Sequence, residues 1–316
     1  MRRQATPRWL GYLALAPLLA LTGCGKHFWL FHPAGPVADA ELTYTILDFA
    51  IMLLVIVPAL ALVIWTVWRY RAAHGKGTYS PRWSHSRALE LVVWGIPVLI
   101  VAALAYFSYV GTHAVNPWGP EVITDDPEYA QVEPLRIEVI STDWQWLFVY
   151  PDQHIAVSNE LVVPVKRPVD FRLTSTSVTS NFFIPRVVGQ IYAMPGMRTK
   201  QSMVVTEPGE YQGVSAELTG PGFSWMSYKL EAVTDKEFND WVGKVRDEGM
   251  PLAYPQFAKF AEPTVNIGQK VELFKDVPTD LFSQVIENVR AGKLIFPTPS
   301  ELTENMRSPK FLKHEN

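Results

Sequence analysis

Cysteine is almost missing from the chain: among 316 residues, Cys24 is the single thiol. An internal disulfide and an all-thiolate metal site each need more than one sulfur, so both are excluded. Histidine is sparse as well, with 7 in the chain. His74, His85, His113 and His154 stand apart, with no second ligand at metal spacing, and read as surface residues. Charged residues make up 19% and the formal net charge is −3, so a cationic nucleic-acid binder is excluded, and 48% hydrophobic content excludes a disordered tail as a description of the whole. What the chain has in excess is apolar sequence, crowded into its first third.

The N-terminus opens with Arg2, Arg3 and Arg8 and continues with an apolar stretch from Trp9 to Leu21. That stretch is too short for a bilayer core of about 30 Å and has the shape of a cleaved export signal. It ends in Leu21-Thr22-Gly23-Cys24, which resembles the bacterial lipobox. The resemblance implies that residues 1–23 are removed and that Cys24 becomes a lipid-modified N-terminus. The run from Leu42 to Trp68 is long enough to cross a membrane, and a second span is expected from Leu89 to Gly111, with Gly95 and Pro97 inside it. Arg69, Arg71, Lys76, Arg82 and Arg87 lie between them, with no acid before Glu90, so the loop is assigned to the cytoplasm and everything after Gly111 to the periplasm. Asp48 falls within the first span and reads as a headgroup-level carboxylate near its outer end.

Past a Pro/Gly/Asp linker the pattern changes to short runs bounded by turn residues: Arg136–Ile140, Glu160–Val165, Val169–Leu173, Gln201–Val205, Gly209–Val214 and Ser227–Ala232. These read as strands of a β-sandwich. Thr234 with Glu237 then forms a capping box ahead of a helix carrying Phe238, Trp241, Val242 and Val245 on one face. A second helix is expected from Thr279 to Ala291, with Leu281, Phe282, Val285, Ile286 and Val289 as its stripe and Gly292 as its stop. Both stripes read as core or docking faces, and residues from Pro297 on read as poorly ordered. The expected architecture is therefore a periplasmic N-terminal segment (24–41), a transmembrane helical hairpin (42–111), a linker (112–134), an all-β periplasmic sandwich (135–233) and a C-terminal helical extension (234–316).

Two spans, the aromatic strand expected at Asp143-Trp144-Gln145-Trp146 and the sandwich together resemble subunit II of the haem–copper terminal oxidases, whose periplasmic domain is cupredoxin-like. In the cytochrome c oxidase branch that domain holds a dinuclear copper, gripped by two cysteines, histidines and a methionine. Here Ser215 and Thr219 stand where that pattern has cysteines, Phe223 and Ser180 where it has histidines, while Glu217 and Met226 match. Hydroxyls do not replace thiolates on copper, so no metal is expected. The runs Phe182-Phe183-Ile184-Pro185-Arg186, Gln190–Met197 and Gly220-Pro221-Gly222-Phe223 resemble the quinol-oxidising, cytochrome o type branch. That resemblance implies a subunit with no redox centre of its own. Haems, a copper and the ubiquinol site are then expected in subunit I, with smaller membrane subunits and membrane lipid as further partners. It also implies that Glu90, in Leu89-Glu90-Leu91-Val92-Val93-Trp94, lies near the mouth of a proton-uptake pathway; a helix-start carboxylate favoured by the helix dipole is the other reading. A menaquinol oxidase subunit and a free-standing periplasmic lipoprotein remain as alternatives, and a copper-bearing cytochrome c oxidase subunit is disfavoured by the missing ligands.

Overall fold

The computed structural model describes residues 29–71, 81–82, 84–263 and 270–293. The export signal, Cys24, His74, Lys76 and the C-terminal tail expected from Pro297 lie outside the described residues.

Two long helices lead the chain. Helix α1 runs Pro36–Arg69, 34 residues with a proline at its first turn, where a missing N–H costs nothing. Helix α2 runs Arg87–Ala114, 28 residues. At ~1.5 Å per residue they are about 51 and 42 Å long, more than a hydrocarbon core needs, and both are apolar enough to cross a membrane. They pack as a hairpin in which the ring of Tyr44 lies against the backbone of Gly111; a Cβ there would sit 3.2 Å from the ring. The hairpin starts earlier than the hydropathy suggests. Pro36–Glu41 is already helical, and Val37 and Ala38 are buried against the sandwich. The stretch free of ionisable side chains, Phe49 to Trp68, covers about 30 Å, which matches the hydrocarbon thickness and leaves Asp48 at its outer edge.

The linker is not wholly irregular, since α3 (Glu121–Thr124) interrupts it. The strands are β1 Leu135–Ser141, β2 Trp146–Tyr150, β3 Ile155–Ser158, β4 Glu160–Pro164, β5 Val169–Ser175, β6 Ser180–Ile184, β7 Val188–Ala193, β8 Thr199–Met203, β9 Gly209–Ser215 and β10 Ser227–Val233. After β10 come α4 (Asp235–Glu248), β11 (Met250–Pro251), α5 (Tyr254–Phe260), β12 (Leu273–Lys275) and α6 (Leu281–Arg290). One sheet has the order β11-β12-β3-β2-β1-β5-β8 and the other β4-β10-β9-β6-β7. Pairing is antiparallel except at β1–β5, β10–β4 and β11–β12.

The space between the sheets is filled by aromatic rings. Phe182 stacks on Tyr228 with centroids 5.3 Å apart, while Trp146, Phe148 and Phe171 meet Phe182 at 5.7, 6.4 and 5.2 Å. Offset and edge contacts of this kind add to the burial of the rings themselves. Tyr150 ties the sheets together: its hydroxyl donates to the Val162 carbonyl at 2.8 Å and accepts from the Val162 N–H at 3.0 Å.

Two sequence expectations need correction. The aromatic run is not one strand: β2 begins at Trp146, and Trp144 sits in the preceding turn with φ +70°, because Thr142 closes that turn by bonding the Gln145 carbonyl. The C-terminal extension is not purely helical either. Beyond α4, whose Thr234–Glu237 capping box is present, β12 pairs with β3 and enlarges the first sheet. The stripe of α6 packs with Leu252, Phe257, Phe274 and Val277 on the outward side chains Ile140, Leu147, Val149 and Ala156. That second core is why the outer face of this sheet alternates less than an exposed sheet does.

The hairpin packs directly on the sandwich. Gly35 lies between the carbonyls of Val204 and Val187, and the Glu41 carboxylate accepts a hydrogen bond from the Gly189 backbone. Gly35 thus meets the start of β7 and Glu41 its second residue, so α1 and β7 run side by side in the same sense. The loops at the far end of β7 therefore point the way α1 runs, toward the bilayer.

Candidate functional site

The sequence-predicted loop residues come together at that end of the sandwich. Ser180 opens β6 and receives a hydrogen bond from Ser141 of β1 across the sheets, Oγ to Oγ 2.7 Å, with both side chains buried. Ser215 closes β9, opposite Phe182 of β6, and its backbone N–H bonds the Met226 carbonyl at 3.1 Å. Thr219 and Met226 are buried, Phe223 is half-buried in a single 3-10 turn, and Glu217 is exposed. Ser180, Ser215, Thr219 and Met226 are all buried, and Glu217 is exposed.

Trp144 seals this end. Its backbone stands in the left-handed region, which is uncommon for a bulky residue and persists only when surroundings hold it. They do so here. The indole N–H donates to the Thr219 carbonyl at 3.4 Å, and Gly220 and Gly222 lie flat against the ring. A Cβ on Gly222 would fall 2.3 Å from two indole carbons, so only glycine fits. Beside the indole, Asp143 is buried and accepts a hydrogen bond from Ser177. Burial pushes its carboxyl above the usual aspartate range, with the Ser177 bond pulling partly back. The sequence reading missed Asp143, Ser141 and the glycine cradle; the signal that was there is the Gly220-Pro221-Gly222 run, which marks a close backbone approach.

The donor set decides what this end can hold. A dinuclear copper needs bridging thiolates with imidazole and thioether ligands. The side chains present are hydroxyls, the Phe223 ring, the Trp144 indole, the Met226 thioether and the lone Asp143 carboxylate, and among the described residues no three His, Cys, Asp or Glu are gathered as a metal site. These residues do not fit that metal. Elsewhere, Glu90 is exposed in the first turn of α2, its N–H bonded to the Ser86 carbonyl at 2.9 Å, and Asp48 is half-buried in α1. The structure brings neither next to the loop cluster.

Two helices apolar enough to cross a membrane, carrying a cupredoxin-like β-sandwich, define the second subunit of a terminal oxidase. Residues 151–233 match the family described as cytochrome c oxidase subunit II, periplasmic domain. Over 91% of its length the chain is 38% identical to cytochrome bo(3) ubiquinol oxidase subunit 2 of Pseudomonas putida, spanning 88% of that protein. It is 36% identical over 95% of its length to ubiquinol oxidase subunit 2 of Acetobacter aceti, spanning 94% of it. Quinol oxidase subunit 2 of Bacillus cereus is 33% identical over 80% of the chain and spans 85% of that protein. Among solved structures, the periplasmic domain of subunit II of cytochrome oxidase of Bradyrhizobium japonicum is 27% identical, covering 35% of this chain and 91% of that one with a TM-score of 0.34. The chain belongs to the ubiquinol oxidase subunit 2 family.

Proposed function

We propose that this chain is the structural second subunit of a proton-translocating ubiquinol oxidase of a bacterial inner membrane, carrying no redox centre itself. The reading rests on the loop end, where the family resemblance puts Ser180, Ser215, Thr219 and Phe223, three hydroxyls and a phenyl ring, at the positions of copper ligands in the cytochrome c oxidase branch. Electrons from a membrane quinol have no need of an entry centre on the periplasmic side. Haems, copper and the quinol site then belong to the large membrane subunit.

The task left to this chain is to hold that subunit. The hairpin offers two apolar helices, and the loop end, directed toward the bilayer, exposes Tyr192, Met197, Leu218 and Trp225, with Leu218 78% exposed. Apolar side chains clustered at one end of a domain mark a contact surface. We assign it to the outer face of the large subunit. In the same reading Cys24 carries a lipid anchor, and Glu90, at the cytoplasmic start of α2, assists proton entry into the neighbouring subunit. Ubiquinol is preferred over menaquinol because the relatives with the higher identities are named for it.

Purification through a tag on this chain in mild detergent tests the proposal. A stoichiometric haem-bearing membrane protein with quinol oxidase activity is the expected result. Isolation of the chain alone, under conditions that preserve other membrane complexes, would favour a free-standing lipoprotein and overturn the proposal.

A further inference from the structure

Asp48 is the one charged side chain on α1 between Glu41 and Arg69. It lies one turn past Tyr44 on the same helix face, the face whose Tyr44 ring packs on Gly111 of α2. The two helices run in opposite senses, so one turn back from Gly111 brings Phe107 and Ser108 level with Asp48. One carboxylate oxygen, Oδ1, is sealed from solvent and meets no hydrogen-bonding group among the described residues; Oδ2 is not sealed, and the residue as a whole is half-buried. No cation of the described hairpin reaches it. Arg69 of α1 and Arg87 of α2 each lie about 30 Å further along the pair. His113 is turned onto its own helix, with Nδ1 2.9 Å from the Tyr109 carbonyl oxygen. Among the described residues Asp48 forms no ion pair.

A carboxylate at the edge of the hydrocarbon is costly, and such groups face a neighbouring helix or a polar cavity and find their partner there. Headgroup solvation alone would leave both oxygens open on the lipid side, whereas Asp48 faces the seam of the hairpin with one oxygen sealed. We propose that Asp48 is a docking point for the large membrane subunit, whose arginine or lysine side chain donates to the open side of the carboxylate at the outer edge of the bilayer. This rests on the reading that such a subunit packs on the hairpin, and adds where the contact is fixed. Charge complementarity selects the occupant. An ionised carboxylate only accepts hydrogen bonds, so an apolar helix leaves it stranded, while a cation both bonds it and offsets its charge where water is scarce. The other side chains of α1 from Phe49 to Trp68 are uncharged and mostly apolar, so they give contact area without setting register. A single charge pair on such helices fixes their depth and rotation against a neighbour.

The test uses the complex purified through a tag on this chain, from the wild type, Asp48→Asn and Asp48→Glu. Release of the large subunit is timed in a detergent strong enough to part the subunits, and a density map of the wild-type complex is taken at a resolution that shows side chains. The expected results are a large-subunit arginine or lysine nitrogen within about 4 Å of the Asp48 carboxylate, and release about 10- to 100-fold faster in Asp48→Asn. Asp48→Glu keeps the charge and should release near the wild-type rate. Asp48→Asn keeps the size and removes only the charge, so the helix itself is not put at risk. Three results overturn the proposal: a lipid ammonium or water alone at the carboxylate, a carboxylate turned to open lipid, or release from Asp48→Asn no faster than from the wild type. A wild-type chain that purifies with no large subunit would overturn the functional reading and this inference with it; a complex that forms with Asp48 unpaired overturns this inference alone.

Discussion

Replacing Gly222 by alanine tests the glycine cradle on which the closed loop end depends. The new Cβ would lie 2.3 Å from Cγ and Cδ2 of Trp144 and 2.7 Å from its Cβ, about 0.7 Å or more inside ordinary contact. Those atoms are the root of the side chain, and Trp144 is 2% exposed, so the indole cannot swing aside into solvent. Either the loop moves off the ring or the ring leaves its site. Overpacking of a well-filled core costs typically about 1–3 kcal/mol, and the weakened indole bond to the Thr219 carbonyl places this change toward the upper end. Loss of about 2–3 kcal/mol corresponds to opening about 30- to 150-fold more often. Hydrogen exchange of the amides between Ser215 and Met226 in the purified complex reads that opening. Trp144→Ala alone is expected to cost about 3–5 kcal/mol, and the double variant no more than Trp144→Ala, because the clash needs both partners. Unchanged exchange in Gly222→Ala, or full additivity in the double variant, would refute the reasoning.

Other residues give independent checks. Phe282 of α6 is buried in the second core with the Arg198 guanidinium 5.7 Å over its ring; Phe282→Ala should cost about 3–5 kcal/mol, seen as faster proteolysis of the C-terminal extension, with the sandwich left intact. For Asp143, burial raises the folded-state pKa above its ordinary 3.8, so the folded state holds the proton more tightly. Its contribution is present below the ordinary value and fades as pH rises through the raised one; the melting temperature of Asp143→Asn relative to the wild type should therefore climb from acid to neutral pH, and a flat difference would contradict this. Thr234→Ala removes a capping box whose Thr234 Oγ1 and N–H both bond Glu237, and should cost about 1 kcal/mol of α4 stability in exchange measurements. Glu90→Ala should lower steady-state quinol oxidation if the carboxylate serves proton entry, and unchanged turnover would leave it a helix-start residue.

Local signals in the chain account for much of this architecture. The apolar runs located both long helices, and the capping box at Thr234 and the stripe Leu281–Ile286 located α4 and α6 because both rest on neighbouring residues in one helix. What escaped depends on distant partners. Pro36–Glu41 is helical because Val37 and Ala38 are buried by the sandwich, not because the segment is apolar enough to mark a span. Strand β12 has three residues and exists because β3 offers an open edge. The left-handed turn at Trp144 is closed locally by Thr142 on the Gln145 carbonyl, but the room for its indole comes from Gly220 and Gly222, far along the chain.

The complex built around this chain takes its electrons from quinol and not through a copper centre in the sandwich: on this all the rest depends. Oxygen consumption by the purified complex, supplied in turn with a ubiquinol analogue and with reduced cytochrome c, measures this directly. The account predicts steady consumption with the quinol and none with the cytochrome; consumption driven by cytochrome c alone would contradict it.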